Sequence, residues 1–198
     1  KAIKKAQIIF YPISGEDRKS SSAEIVRKHL RFKKQIPILF PMSKNVLNSE
    51  EIWSEAADKI VECLKNKHSC ALLCLGDSSI YASSSYILEK LIQNYPKIRI
   101  KKLPGISSIA AAAAISNFDL IRKGESLRIL ECPNSLKKLE DLIREERSGE
   151  NVLVLMKIGI RWNWVKDVLE KEGIMDKSLL AVNVGMNNQI IQKVSNIN

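Results

Sequence analysis

Two short stretches hold the residues best suited to chemistry. In LLCLGDSSIY (residues 72–81) an apolar run ends on Gly76 and Asp77 and passes through two hydroxyls. Gly, Asp and Ser are ordinary turn and cap residues. They are also what a ligand site needs, because open α/β sheets bind small molecules just beyond the carboxyl ends of their strands. Gly76 lets backbone approach a ligand with no Cβ in the way, and Asp77 can cap a helix or hold a loop. In LPGISSIAAAAA (103–114), Pro104 and Gly105 set a stiff turn before Ser107 and Ser108 open a helix of small residues. Hydroxyls and free amides at a helix start suit a polar ligand. No side chain stands out as a general base, so the catalytic group is unassigned.

Other chemistries find little support. Cys63, Cys70, Cys74 and Cys132 sit in apolar patterns without a Cys-x-x-Cys pair, and His29 and His68 lie far apart. That disfavours a metal centre and favours core thiols in a reducing, cytoplasmic compartment. The 32 basic against 22 acidic residues give a net charge of +10, which favours anionic partners. Lys4-Lys5, Lys33-Lys34, Lys101-Lys102 and Lys137-Lys138 are scattered and not interleaved with aromatic residues, so a nucleic-acid surface is disfavoured. No run reaches the roughly 18 apolar residues of a membrane span. The first residues are a charged helical pattern, not an apolar leader.

The elements that must position these residues alternate between apolar runs and amphipathic stretches, which predicts an α/β fold. QIIFYP (7–12) reads as a buried strand and 20–32 as a serine-capped helix. QIPILFPM (35–42), broken by prolines, reads as an edge strand or loop. The clearest helix spans 49–67, where Ile52, Ala56, Ile60 and Leu64 recur every fourth residue beside Trp53, Ala57 and Val61. A strand over 70–76, a helix near 80–94 and the run 98–105 complete the first half. The second half reads as a helix at 107–115, strands at 126–132 and 151–157, a helix over 135–147 and another stopping at Gly173. Strands at 178–185 and 189–194 close it. The boundary is expected at Pro104-Gly105, giving domains 1–104 and 105–198.

Taken in order, IIFYPIS (8–14), LLCLGDSSIY, LPGISSIAAAAA and VLVLMKIG (152–159) resemble the tetrapyrrole (corrin/porphyrin) methylase family over nearly the whole chain. Each motif is weak alone; the series is fairly specific, and Ser-Ile-Tyr after Gly76-Asp77 points to the corrin branch. The resemblance implies two α/β domains with S-adenosylmethionine in the cleft between them and a tetrapyrrole as the methyl acceptor. It implies that Gly76, Asp77 and Ile80 line the methionine part of the cofactor, that Ser107 and Ser108 touch it, and that Met156 packs on its adenosine. Taken alone, Met156 would read as core. Tyr11 and Tyr81 are implied at the substrate pocket, and a homodimer is a family expectation.

The chain departs from the pattern at Ser78, where proline is usual, and at NVGMNNQII (183–191), where relatives tend to have an Ala-Gly turn and Pro-Asp-Gln. Relatives also begin with a strand and a Gly-Pro-Gly-Asp loop before the helix that KAIKKA (1–6) resembles. The expected first domain therefore lacks its first strand, and the family's last strand is expected beyond Asn198.

Overall fold

Ile8, Ile9 and Phe10 are at most 2% exposed because they lie on the middle strand of a sheet covered on both faces. The computed structural model describes residues 1–15, 19–40, 49–148 and 151–197. It divides into two compact units, Lys1–Ile106 and Ser107–Asn198. Its architecture is the mixed α/β one expected from the alternating pattern.

The first unit contains α1 (Ala2–Lys5), β1 (Ile8–Ile13), α2 (Ser21–Ile25), β2 (Lys34–Leu39), α3 (Ser49–Lys65), β3 (Cys70–Leu72) and α4 (Ser84–Asn94). The strands are parallel in the order β2-β1-β3. β2 is the edge strand that its prolines allow, with Pro37 opposite Tyr11. Strand alternation splits the core in two. Ile8 and Phe10 join Ile38, Phe40 and the apolar stripe of α3 and α4, including Trp53, Ala57, Ile60 and Ile87. Ile9 turns to the other face, with Ala6, Leu30 and Leu73. Helical cover on that second face is short: the helix expected over 20–32 is one turn of α2, then a 3₁₀ turn at Arg27–His29. Lys33 braces this side by donating from Nζ to the carbonyls of Lys4 (2.9 Å) and Ala6 (2.6 Å) at the end of α1.

Three other expectations in this unit are revised. The strand expected over 70–76 keeps its ladder only to Leu72, because the chain then bends toward Gly76. The run 98–105 enters no ladder. The helix expected near residue 80 begins at Ser84, because Tyr81 adopts φ +49°, outside the helical region.

The second unit holds α5 (Ser108–Ile115), β4 (Ser126–Glu131), α6 (Leu136–Glu145), β5 (Asn151–Met156), α7 (Trp162–Lys171), β6 (Leu179–Val182) and β7 (Ile190–Lys193). β4 and β5 pair in parallel and β6 with β7 antiparallel. Leu139, Leu142 and Ile143 of α6 interlock with Val165, Val168 and Leu169 of α7, over Cys132 and Val194. Two buried carboxylates are matched by cations, as burial of charge requires. Glu140 accepts from Lys171 at 2.7 Å, and Glu172 faces Arg144 (3.1 Å) and Arg147 (2.8 Å). The Lys171 hydrogen bond is the main reason that the Glu140 carboxyl sits below its ordinary range. Among the described residues, no helix is long and apolar enough to cross a membrane.

Candidate functional site: two turns joined by an aspartate

β3 delivers the chain to Gly76, whose φ of +73° is a left-handed conformation that favours glycine. Asp77 follows and uses both carboxylate oxygens. Oδ1 accepts from the Ser79 amide at 2.7 Å and from the Ser79 hydroxyl. Oδ2 accepts from the Gly105 amide at 3.1 Å, across 28 residues of chain. Beside it, the Ser78 hydroxyl donates to the Leu103 carbonyl at 3.0 Å. The two turns singled out in the sequence are therefore one structure, and Ser78, where proline is usual, contributes one of the bonds.

The approach is close enough to require a second glycine. A Cβ at Gly105 would stand 2.1 Å from the Gly76 carbonyl oxygen, and no rotamer relieves a backbone clash. At Gly76 a Cβ would meet only the Ile106 carbonyl, at 3.6 Å, so its left-handed φ is the constraint there. The two Ser79 bonds, then the Gly105 amide, hold the Asp77 carboxyl below the usual carboxylate range. With its acceptors engaged, Asp77 fixes the loop. The surroundings are apolar and open: Leu75, Ile80, Leu103 and Ile106 are 49%, 36%, 48% and 75% exposed. A polar turn ringed by exposed aliphatic side chains fits a ligand with a hydrocarbon chain and polar ends.

Tyr81 lies in the same loop as Gly76, Asp77 and Ile80, half exposed. Tyr11 is elsewhere, on the sheet face with Ile9 and Leu30. In the second unit, the Ser107 hydroxyl oxygen caps α5 by accepting from the Ala110 amide at 3.2 Å, and Ser108 is the first residue of that helix. Met156 ends β5, half buried, with its carbonyl accepting from Cys132 N at 2.8 Å. No hydrogen bond joins Met156 to Ser107 or Ser108 among the described residues. Gln189 closes its own turn, its side-chain oxygen accepting from Gly185 N at 2.7 Å.

One residue that the sequence reading missed secures the strand ends carrying Met156. The Arg161 guanidinium donates to the Cys132 carbonyl, to Asn134 Oδ1 (2.8 Å) and to the Lys157 carbonyl (3.2 Å), with Glu131 at 3.7 Å. It ties the turn after β4 to the turn after β5, where Lys157 and Gly159 both take positive φ. Two of its acceptors are backbone carbonyls, which leave no mark in side-chain identity. The sequence signal available was a lone arginine shortly after a glycine at a strand end.

Comparison with known proteins fits this geometry. Residues 1–196 match the model of the Tetrapyrrole (Corrin/Porphyrin) Methylases. A Methanocaldococcus jannaschii protein named "Probable cobalt-precorrin-2 C(20)-methyltransferase" is 33% identical over 139 residues. The match covers 70% of this chain and 58% of that protein, so the chain aligns with little more than half of the relative's length. A Salmonella typhimurium protein named cobalt-precorrin-2 C(20)-methyltransferase is 24% identical over 174 residues, 87% of this chain and 70% of its own. Among solved structures, a cobalamin biosynthetic enzyme, cobalt precorrin-4 methyltransferase, superposes with a TM-score of 0.65 at 15% identity. It covers 98% of this chain and 77% of that one, a likeness of fold.

Proposed function

The chain belongs to the tetrapyrrole (corrin/porphyrin) methylase family, and we propose that it transfers a methyl group from S-adenosylmethionine to C20 of precorrin-2 or its cobalt form, in cobalamin biosynthesis. The similarity to two proteins named for that reaction carries the choice of substrate. The joined turns support the choice of cofactor, since they present backbone unobstructed by side chains within an apolar rim.

In this reading Gly76, Asp77, Ile80, Ser107, Ser108 and Met156 hold the cofactor, and Tyr11 and Tyr81 serve the tetrapyrrole. Bound S-adenosylmethionine supplies a methyl group made electrophilic by its sulfonium. The chain has to align donor and acceptor and exclude water, and alignment of this kind contributes on the order of 7–11 kcal/mol to barrier lowering. Asp77 holds the turn at Gly105 in place, so the loop is set before a ligand arrives. The aliphatic side chains around it displace water. The acceptor carbon is nucleophilic through its ring nitrogens, so a base is required only to remove a proton after transfer.

The test is calorimetric titration with S-adenosylmethionine, then incubation with the labelled cofactor and precorrin-2, cobalt-precorrin-2 or ribosomal RNA. Expected are measurable heat and label in one of the two tetrapyrroles. Label in RNA alone would make the chain a ribose methyltransferase. Absence of both heat and label would make it a binding module without methylase activity.

A further inference from the structure

The sheet face that carries Tyr11 opens into a groove of about 840 Å³, remote in sequence from the joined turns. Its existence follows from the short cover on that face: α2 ends after one turn, and Leu30 is the apolar anchor beyond it. Lys19, Arg27, Lys28 and Arg31 line it together with Tyr11 and the Ser20 hydroxyl, and Glu24 is the one acid among the lining residues. Arg27 answers Glu24 at 3.4 Å. Lys19 and Lys28 have no ion-pair partner among the described residues, and Arg31 lies 5.5 Å from the ring of Phe32, itself 92% exposed.

The charge is concentrated. Residues 19–34 hold six Lys or Arg and one Glu, a net of +5, half of the +10 carried by all 198 residues. The β1–β2 register puts Tyr11 beside Pro37 and Ile9 beside Gln35, so the floor under these cations is a mixed apolar and polar strand surface. A cavity of this size exceeds what a single phosphate needs and suits a large organic ligand. Cations on the rim and Leu30, Pro37 and Tyr11 below describe a ligand that is apolar across its face and anionic at its edge.

We infer that this groove binds a macrocyclic polycarboxylate, with Lys28 and Arg31 pairing with the carboxylates of the tetrapyrrole; the identity of the ligand rests on the methylase reading above. Arg and Lys hold carboxylates through charge-assisted hydrogen bonds, and a net +5 segment speeds anion encounter in a salt-dependent way.

The experiment titrates the full chain with uroporphyrin III, an octacarboxylate porphyrin, and with coproporphyrin III, a tetracarboxylate, following porphyrin fluorescence. Wild type is expected to bind uroporphyrin more tightly than coproporphyrin, with affinity falling as salt rises. The exposed-site variant K28E/R31E is expected to weaken uroporphyrin binding at least about tenfold, while S-adenosylmethionine affinity and the thermal midpoint stay at wild-type values. Unchanged porphyrin affinity in K28E/R31E overturns the inference, as does failure of the wild type to bind either porphyrin. A single-stranded RNA that binds wild type but not the variant, with no porphyrin binding, overturns it in favour of nucleic acid. Charge-dependent porphyrin binding without cofactor heat or methyl transfer would uphold the groove and remove the methylase reading. Methyl transfer with the same KM in K28E/R31E would do the reverse.

Discussion

Gly105 and Gly76 look alike in sequence but carry different constraints, and substitution separates them. Gly105→Ala puts a methyl group 2.1 Å from a carbonyl oxygen, so the turns must part. We expect a loss of about 1–3 kcal/mol in denaturant unfolding and a fall of about tenfold or more in S-adenosylmethionine affinity by calorimetry. Gly76→Ala meets its nearest atom at 3.6 Å and is left with the cost of a left-handed φ, about 1–2 kcal/mol. Equal affinity losses in the two variants would contradict this distinction. Asp77 makes a further prediction. Its folded carboxyl is lowered chiefly by Ser79, so its contribution is fully present above the unfolded value, near pH 3.9, and is lost as pH falls through the lower folded value. The Gly105 amide, followed by hydrogen exchange, should stay protected down to about pH 4. In Asp77→Asn it should exchange faster at every pH, because an amide NH₂ in place of Oδ2 cannot accept from it.

At the scale of elements, β1 and the Arg161 clamp make the strongest claims. Phe10 is completely buried between β2, β3 and the helices above, so Phe10→Ala should cost about 3–5 kcal/mol in unfolding free energy. Arg161→Ala removes donors from two backbone carbonyls and should cost about 1–3 kcal/mol, seen as faster exchange at the ends of β4 and β5 while β1 stays protected. Arg161→Lys should recover part of the loss, since one ammonium cannot span the set that a guanidinium does. These elements also divide by how legible they were. α3 was plain because its four-residue recurrence is a burial pattern, and the edge position of β2 because proline removes a ladder donor. The turns at Gly76 and Gly105 were legible as turns, and their bond through Asp77 was not, because nothing local in 28 residues of chain specifies that contact. The late start of α4 depends on the φ of Tyr81, and the loss of helix after α2 on how little apolar surface lies beneath it; neither has a residue-type signature. Tyr11 and Tyr81 were grouped as one pocket by resemblance, whereas they line different parts of the first unit.

At the scale of the whole molecule, charge and cores are unevenly distributed. The basic residues that looked scattered along the chain supply four cations to one groove, because the β1–β2 crossover brings Lys19 and the stretch from Arg27 to Arg31 to the same sheet face. Each unit closes its own apolar clusters, built on β1 in the first and on α6 and α7 in the second. Trp53, buried at 9% exposure, is stacked 5.5 Å from Tyr86 and lies 4.7 Å from Phe40, while the chain's other two tryptophans, Trp162 and Trp164, belong to α7. Each half thus contains its own natural fluorophore. Replacing Trp162 and Trp164 with phenylalanine leaves an emission that answers to the first half alone, and replacing Trp53 leaves one that answers to the second. Two melting curves read in different colours of the same spectrum would tell which half a bound nucleoside tightens.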